Sequence, residues 1–378
     1  MRRVGKSVLL RQIHRRLADD GMTSAQICYI DMESMDVESI KTDRDLHDAA
    51  MAHWKGVKGR RALLIDEVQE IHGWEKAIAS LSGKPGVDIL LTGSNAHLFA
   101  SELATKLSGR YIEFPVHGLS FKEFLQFRGK QADSTAQEFK RYLRYGGLPG
   151  LHHMELTDEV VFQYLGAIYS TIVLKDIVAR HAVRDVGLLE NMARFLFDNI
   201  GQVISANRIA AYLKSQRLRV GVDTVVNYLS YFQQALVMRR VARYDLRGKR
   251  LLELYEKYYA SDIGLRHAQL GFRESELSGV LENVVYLELL RRGYQVSIGK
   301  LGDREIDFVA TRENEKRYIQ VACQLATDEV IRREFGNLEQ IPDQYPKIVV
   351  SLDSNFGQDR NGIRWMNLVE FLLADSWA

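Results

Sequence analysis

The stretch MRRVGKSVLL, residues Met1–Leu10, contains residues typical of the end of a phosphate-binding loop. Such a loop has the form G-x-x-x-x-G-K-[ST], follows a strand and opens a helix. Gly5, Lys6 and Ser7 match its second half, and the apolar residues after them keep helical spacing as far as Ala18. The first glycine and its strand would stand upstream of the first residue. We expect a start assigned too late or a truncated chain, with a functional natural short form as the alternative.

Short apolar runs recur through the first third of the chain, separated by helical or loop stretches. They are Ile27–Met32 (ICYIDM), Ala62–Asp66 (ALLID), Asp88–Asn95 (DILLTGSN) and Tyr111–Val116 (YIEFPV). Near-continuous apolar strands of this kind are typical of a parallel sheet that is covered on both faces. The sequence therefore predicts an α/β fold, with a P-loop NTPase parallel sheet over residues 1–117 whose first strand is missing.

The second of these strands ends in two carboxylates. LLIDEVQ places Asp66 and Glu67 at the carboxyl edge of the predicted sheet, where open α/β folds bind ligands. In a nucleotide hydrolase the Asp at such a strand end holds Mg²⁺, directly or through water, and the following Glu can polarise the attacking water. Alone this is a weak signal, because many surface strands end in acids. It gains weight about sixty residues after a Gly-Lys-Ser that opens a helix.

Polar side chains also end the next strand. They are Thr92, Ser94 and Asn95, and we predict Asn95 as a sensor of the γ-phosphate or the attacking water. A turn-forming asparagine is the alternative. Arg110 stands just before the last predicted strand of this part, from where it could reach a γ-phosphate in its own chain or in a neighbouring subunit. The alternative is an ordinary surface arginine.

These segments together resemble a bacterial and archaeal family of AAA+-type ATPases. The resemblance is carried by RRVGKS, LLIDEVQ, LLTGSNAHLF, LSGRYIEFPVHGLSFKEFL and YLRYGGLPG, and it covers essentially the whole chain. Members of the family join the ATPase to a winged helix and to a C-terminal domain long described as being of unknown function. Their loop has the form G-x-R-R-V-G-K-[ST], of which this sequence lacks the leading glycine.

The resemblance implies ATP and Mg²⁺ as ligands. It implies that Lys6 contacts the β- and γ-phosphates and that Ser7 contacts the Mg²⁺. Asp66 and Glu67 then have the metal and water roles, and Asn95 and Arg110 have sensing roles. The implied nucleotide-binding residues are Arg3, Val4, Gly5, Lys6, Ser7 and Asp66, and the implied catalytic residues are Glu67, Asn95 and Arg110.

The composition is that of an ordinary globular protein with room for two or three domains. The chain has 378 residues and a net charge of +2. No apolar run approaches the ~18 residues that a membrane span needs, and charges follow the N-terminus too soon for a signal peptide. We therefore expect a cytoplasmic location. Cys28 and Cys323 lie far apart without metal-ligand spacing, and we predict two buried thiols.

One segment departs from this balanced charge. Residues 205–250 carry ten basic and two acidic residues, a net charge of +8, which leaves −6 for the rest of the chain. Such asymmetry favours a local polyanion-binding face, and a solvated basic surface is the alternative. The candidate nucleic-acid contacts are Lys214, Arg217, Arg219, Arg239, Arg240 and Arg243.

The same segment has the element order of a winged helix-turn-helix. Helices predicted at Leu188–Ile200, Ser205–Ser215 and Val222–Ala235 precede an arginine-rich hairpin. In that fold the third helix enters the major groove, but here it has no basic residue. We therefore expect weakly specific DNA binding, with docking between domains as the alternative. We place this module at residues 185–262, after a helical lid or linker at residues 118–184.

The last hundred residues have the order α-β-β-β-α-β-α, which resembles a restriction-endonuclease-like α/β domain at residues 275–378. Such sites use a helix Glu, a strand Asp and an E-x-K on the next strand, to bind Mg²⁺ and activate water. Glu282 and Asp307 fit the first two positions, whereas Gln320 and Ala322 occupy the E-x-K positions. We expect a degenerate module used for binding or architecture, with an active nuclease as the alternative.

Taken as a whole, the sequence favours an ATPase that uses ATP and Mg²⁺ and moves its C-terminal modules. The alternative is a non-hydrolysing scaffold that binds DNA or protein and retains relic sites. DNA or a protein is accordingly the expected partner, and no membrane is expected.

Overall fold

The computed structural model of the chain describes residues 1–95, 109–129, 132–354 and 359–377, apart from the side chains of residues 253 and 254. The chain divides into two compact units, Met1–Val116 and His117–Ala378. Two free cysteines are present, of which Cys28 is buried and Cys323 is half-buried.

The first unit contains a parallel sheet with the strand order β1-β2-β3. Its strands are β1 Ile27–Asp31, β2 Arg61–Asp66 and β3 Val87–Leu91. Its helices are α1 Lys6–Asp19, α2 Asp43–His53 and α3 Trp74–Ser82, with 3₁₀ turns at Met35–Val37 and Val68–Glu70. The central strand β2 is almost continuously buried, as its apolar run predicts.

Helices cover both faces of this sheet. On one face, Leu10 of α1 packs with Ala62 and Leu64 of β2. On the other face, residues of α2 and α3 such as Leu46 and Ile78 pack with the alternate residues of β2. This arrangement confirms the predicted mixed α/β fold with a parallel sheet.

The predicted strand Tyr111–Val116 is wrong, because residues 111–117 form no strand. Ile112 and Phe114 are 80% and 78% exposed. A strand needs a hydrogen-bonded neighbour, and no strand among the described residues pairs with this segment. Its apolar side chains therefore stay outside the core.

The second unit begins with helices and returns to them between its strands. They are α4 Phe121–Arg128, α5 Thr135–Tyr145, α6 Asp158–Thr171 (continued by a π-helix at Ile172–Ala179), α7 Val186–Asp198, α8 Ala206–Ser215, α9 Val222–Gln234, α10 Ile263–Leu270, α11 Leu277–Arg291, α12 Asp328–Glu339 and α13 Leu368–Leu373, with 3₁₀ turns at Pro149–His153 and Glu274–Glu276.

An eight-stranded mixed sheet forms the centre of this unit, in the order β11-β10-β9-β8-β7-β5-β6-β4. Its strands are β4 Val203–Ile204, β5 Met238–Asp245, β6 Arg250–Ala260, β7 Gln295–Leu301, β8 Arg304–Arg312, β9 Glu315–Val321, β10 Lys347–Ser351 and β11 Ile363–Asn367. The hairpin β5-β6 joins the remaining strands through a parallel pairing of β5 with β7. One sheet thus takes strands from both the predicted winged helix-like module and the predicted nuclease-like domain.

Two apolar layers cover the β8-β9-β10 part of this sheet. Phe308 and Ile319 face a core that includes α11, whereas Val309 and Tyr318 face a core that includes α12. Successive residues of a strand point to opposite faces, so the near-continuous apolar runs of β8, β9 and β10 fill both cores. The predicted order of helices and strands appears here with one addition, β11.

The glycines of YLRYGGLPG allow a close approach of two backbone segments. Gly147 N donates to Asp262 Oδ2 at 2.8 Å, and Leu119 N donates to Gly147 O at 2.6 Å. A Cβ on Gly147 would lie 2.4 Å from Leu119 O. Asp262 also caps α10, because its Oδ1 accepts from Gly264 N at 2.8 Å. The motif therefore ties the chain before α4 to the start of α10.

The helix Asp158–Ala179 is long and apolar enough to cross a membrane by length and composition alone. It contains Lys175 and Asp176, and 44% of its most apolar window is buried inside the protein. Val161 and Leu165 of α6 are fully buried. A core helix has the same properties, so this helix is weak support for a membrane span.

Candidate functional site

The loop before α1 has the backbone that a phosphate site needs. Gly5 has φ 96 and ψ 10, a left-handed conformation that favours glycine, and α1 begins at the next residue with no acidic side chain in its first turn. The first N–H groups of an α-helix have no partner within the helix and attract anions. Lys6 stands at this terminus, and its Nζ donates to Met1 O at 2.8 Å.

The two carboxylates predicted at the strand end lie beside each other and are buried. Asp66 ends β2, and Glu67 follows it with φ 56 and ψ 51. A left-handed conformation at a residue with a side chain costs of order 1–3 kcal/mol and clusters at functional sites. The Thr92 hydroxyl donates to Asp66, and its oxygen accepts from Glu67 N at 3.1 Å. Thr92 therefore fixes both residues against the end of β3.

The loop and the strand end meet at Lys6 and Glu67. Lys6 Nζ lies 3.6 Å from Glu67 Oε1, and both side chains are largely buried. Burial lowers the pKa of Lys6, and the neighbouring Glu67 and Asp66 offset this only in part. Burial raises the pKa of Glu67, but Lys6 and a hydrogen bond from Gln69 outweigh it, so the pKa lies below its usual value. Glu67 is therefore an ionised acceptor at neutral pH.

Further polar groups lie at the end of β3. Ser94 and Asn95 are buried there. Ser94 Oγ accepts from Gln69 Nε2 at 3.3 Å, and the same Nε2 donates to Glu67 Oε2. The structure thus brings Lys6, Glu67 and Ser94 into one connected group. Gln69 is a member that the sequence analysis missed, although it belongs to the LLIDEVQ motif.

The other predicted nucleotide-site residues differ in exposure. Val4 is buried in the loop, Ser7 is half-buried in the first turn of α1, and Arg3 is exposed with φ 61. Arg110 is exposed and directly precedes the segment 111–117, which forms no strand. Nothing in the described geometry brings Arg110 to Lys6 or Glu67, so its sensing role stays a prediction.

The oxygen donors of this site fit Mg²⁺. The Ser7 hydroxyl and the Asp66 carboxylate are hard oxygen ligands, which Mg²⁺ prefers. Mg²⁺ is commonly held by one or two carboxylates together with substrate phosphates and water. Among the residues that the structure describes, no cluster of three or more His, Cys, Asp or Glu could hold a metal ion.

A second group of charged residues lies in the second unit, around Lys257 of β6. Lys257 Nζ lies 2.7 Å from Glu282 Oε1, 2.8 Å from Glu305 Oε1 and 3.7 Å from Asp307 Oδ1. The Tyr259 hydroxyl also donates to Glu282. We call these five residues the Lys257 cluster. The structure therefore brings together Glu282 and Asp307, and it adds a lysine that the sequence analysis missed.

The residues at the E-x-K positions contribute no charged group to the Lys257 cluster. Gln320 Oε1 accepts from Asp307 N at 3.3 Å, so its carbonyl oxygen is engaged by the backbone. Asp307 Oδ2 accepts from Val321 N at 2.8 Å. Ala322 is buried among apolar residues. The positive charge beside Glu282 and Asp307 thus comes from the hairpin β5-β6 and not from β9.

The charged groups of the Lys257 cluster shift one another's pKa values. Burial raises the pKa of Asp307, Glu282 raises it further, and Lys257 offsets only part of this. Burial also raises the pKa of Glu282. Although burial opposes it, the three carboxylates raise the pKa of Lys257 above its usual value. The ammonium is therefore fully charged at neutral pH and is the cation of this cluster.

The basic residues of the predicted polyanion face separate into two sets. Lys214, Arg217 and Arg219 are exposed and line an open cavity of ≈ 690 Å³ between α8 and α9. On β5, Arg240 Nε donates to Glu256 at 2.6 Å, and burial lowers the pKa of Arg239.

Arg243 on the same strand is half-buried. Arg240 is exposed but paired with Glu256, so the first set presents the exposed charge that has no ion pair among the described residues.

Comparison with known proteins fits the first site. A family profile described as an AAA domain matches residues 1–125, and one described as a domain of unknown function matches residues 136–276. An uncharacterized protein of Haemophilus influenzae is 36% identical over 376 residues, which is 99% of this chain and 92% of that protein. The chain belongs to the same family as this protein, and its residues 1–125 match an AAA domain.

An uncharacterized protein of Methanocaldococcus jannaschii is 29% identical over 344 residues, which is 86% of this chain and 74% of that protein. A solved structure of the Walker-type ATPase of Pyrococcus abyssi is similar with a TM-score of 0.48 and 16% identity, covering 71% of this chain and 89% of that chain. The region that matches the AAA domain contains the whole Lys6–Glu67 site.

Proposed function

We propose that the protein binds and hydrolyses ATP with Mg²⁺ at the site formed by Lys6, Ser7, Asp66 and Glu67. The observation that carries this proposal is the 3.6 Å approach of Lys6 Nζ to Glu67 Oε1, which brings the lysine proposed to bind phosphate next to an ionised acceptor. Mg²⁺ supplies charge neutralisation at the phosphates when it is bound, and Ser7 and Asp66 would hold it.

In this proposal the residues of the site have different roles. Lys6 and the N-terminus of α1 bind phosphate oxygens, and Thr92 keeps Asp66 and Glu67 oriented. Glu67 accepts a hydrogen bond from water and can take its proton as the water oxygen attacks the γ-phosphorus. Asn95 and Arg110 are proposed to sense the γ-phosphate.

The test compares ATP turnover and nucleotide binding in the parent chain, Lys6→Ala and Glu67→Gln. We expect Lys6→Ala to lose both binding and turnover. Glu67→Gln should keep binding and lose turnover by about 10²-fold or more, because a general base contributes 10²–10⁴-fold. The matched control is Lys58→Ala, which removes an exposed loop lysine of the same unit.

ATP turnover that is unchanged in Lys6→Ala would refute the ATPase proposal. Binding that depends on Lys6, without turnover in the parent chain, would instead support the alternative of a nucleotide-binding scaffold that does not hydrolyse ATP.

A second candidate function is weakly specific binding of DNA by the exposed set Lys214, Arg217 and Arg219. None of these three side chains forms an ion pair with a described carboxylate, and they surround one open cavity. Phosphate contacts give affinity without sequence readout. The proposal is that nucleotide binding at the first unit acts on this winged helix-like module and on the nuclease-like domain.

This candidate is tested by fluorescence anisotropy of a labelled DNA duplex across a salt series. Changing the three residues to Glu should weaken binding and reduce the slope of log K against log salt by about 3, since each phosphate contact contributes about 0.9. The control changes the exposed Lys55, Lys58 and Lys140 to Glu, which alters net charge equally. Equal losses in both triple variants would show a general charge effect and refute the local face.

We also propose that the Lys257 cluster does not cleave nucleic acid. Lys257 Nζ already lies between Glu282 and Asp307, where a nuclease of this type would place a divalent cation, and Ala322 supplies no charge. Mg²⁺-dependent nicking of plasmid DNA that is abolished by Asp307→Ala would refute this.

A further inference from the structure

Gln69 lies in the 3₁₀ turn that follows Glu67, and its amide group is directed at the candidate base. Its Nε2 donates to Glu67 Oε2 and, at 3.3 Å, to Ser94 Oγ. An ionised carboxylate only accepts hydrogen bonds, so the amide nitrogen and not the amide oxygen must face Glu67. This requirement fixes the orientation of the Gln69 amide.

Glu67 is thus held from two sides by contacts of different kinds. Lys6 approaches Oε1, and Gln69 donates to Oε2. Under the proposed function Lys6 serves the phosphates, so its contact with Glu67 is weakened when nucleotide binds. Gln69 belongs to the same turn as Glu67 and does not depend on the nucleotide. It is the contact that stays to orient the carboxylate during the reaction.

The other end of the amide is unsatisfied. Gln69 Oε1 is buried and has no hydrogen-bond partner among the residues that the structure describes. Buried acceptors are nearly always paired in folded proteins, and an exception calls for a ligand, a water or a functional reason. This orphan oxygen belongs to the group that holds the carboxylate proposed to accept from water.

We propose that Gln69 orients the attacking water together with Glu67: its amide nitrogen fixes the carboxylate, and its amide oxygen accepts a hydrogen bond from the water. The inference rests on the proposed ATPase function. The water oxygen bonds to the γ-phosphorus, and one water proton moves to Glu67. The bond from the γ-phosphorus to the bridging oxygen breaks, with its electron pair leaving on ADP. The second water hydrogen points at Gln69 Oε1 and is not transferred.

The experiment measures kcat for ATP and the dissociation constant of a fluorescent ADP analogue in Gln69→Ala and Gln69→Glu. We expect Gln69→Ala to lower kcat about 10- to 100-fold, the loss typical of one hydrogen bond to a charged group. The dissociation constant should stay within about twofold, because Gln69 has no role at the phosphates. Gln69→Glu keeps the shape but replaces the donor with a second carboxylate, so its kcat should fall further.

Two control variants distinguish a specific role of Gln69 from an effect on folding. Gln12→Ala removes an exposed glutamine of α1 and should leave both constants unchanged. Gln69→Met keeps most of the side-chain volume without either polar atom; its thermal midpoint should match the parent, while its kcat falls as in Gln69→Ala. If Gln69→Ala does not fold, Gln69→Met provides the same comparison.

The possible failures are distinguishable. A kcat within twofold of the parent in folded Gln69→Ala or Gln69→Met, with turnover still dependent on Lys6, overturns the role of Gln69 and leaves the ATPase function intact. A loss of ADP affinity that accounts for the whole loss of rate overturns it as well. A parent chain without Lys6-dependent turnover overturns the proposed function and this inference with it.

Discussion

Replacing Lys257 by Met should destabilise the second unit more than any exposed lysine substitution. The Lys257 side chain is 2% exposed, and its Nζ lies 2.7 Å from Glu282, 2.8 Å from Glu305 and 3.7 Å from Asp307. With an effective dielectric constant of about 20, each contact near 2.7 Å is worth roughly 6 kcal/mol, and the one at 3.7 Å roughly 4 kcal/mol, before desolvation. Desolvation cancels much of this sum.

The net expectation is a loss of about 3–5 kcal/mol, the usual result of leaving buried charges without their partner. For a unit of this size such a loss lowers the unfolding temperature by about 10 °C. The assay is differential scanning calorimetry of the full chain, in which the transition of His117–Ala378 should shift. Lys140→Met, at an exposed position of α5, is the matched control and should change stability by under about 0.5 kcal/mol.

The pH dependence of this loss gives a sharper check. Asp307 and Glu282 have folded-state pKa values above their usual 3.8 and 4.5, because they are buried. Between those values and the raised ones the folded protein binds more protons than the unfolded chain, so their contribution to stability falls as pH rises. Without the ammonium both pKa values rise further. The deficit of Lys257→Met should therefore be largest near pH 7.5 and shrink toward pH 4.5.

Lys257 itself does not complicate this range. Its pKa is raised from the usual 10.5, so the stability that it contributes is fully present below pH 10.5 and is lost as the pH rises from there through the raised value. A deficit below 1 kcal/mol, or one that is equal at pH 4.5 and pH 7.5, would refute the electrostatic account of the cluster.

Two further predictions concern packing and thiol chemistry. In urea unfolding, Gly147→Ala should destabilise the protein by about 1–3 kcal/mol, because the new Cβ would lie 2.4 Å from Leu119 O. The control is Gly166→Ala, at a helical position where a Cβ meets no atom within 4 Å. It should leave the stability unchanged or raise it by up to about 1 kcal/mol. Equal effects of the two substitutions would contradict the close-approach explanation. Burial raises the pKa of Cys28 to about 11, so at pH 7.5 a disulfide reagent should label this thiol only as the protein unfolds; labelling at the rate of a free peptide thiol would contradict its burial.

The first unit was largely predictable because its signals are local. The loop, the strand β2 and its terminal carboxylates Asp66 and Glu67 each occupy a few consecutive residues, and parallel strands bring their carboxyl ends to one edge. The predicted strand at 111–116 failed for a non-local reason. Its short apolar run is typical of a strand, but pairing depends on a neighbour that the pattern of the segment itself cannot specify.

One residue of each site was not predicted, because its role depends on the folded structure and not on a local sequence pattern. Gln69 is part of the LLIDEVQ motif, but its role depends on the 3₁₀ turn that directs its amide group toward Glu67. Lys257 is 50 residues before Asp307 and belongs to a hairpin that the sequence assigns to another module. Its partnership with Glu282 exists only because β5 and β7 share a sheet. Contacts of this kind are set by topology, which residue spacing alone does not encode.

The parallel pairing of β5 with β7 has a consequence for biosynthesis. Arg243 pairs with Ile298, which the ribosome adds 55 residues later. At 5–20 residues per second this takes about 3–11 s. For most of that time the hairpin β5-β6 has been made but lacks its neighbour, and an unpaired strand edge is a template for aggregation. The matched domain ends at residue 276, before β7 begins. A fragment cut at that boundary would keep permanently the open edge that the full-length nascent chain carries only for seconds.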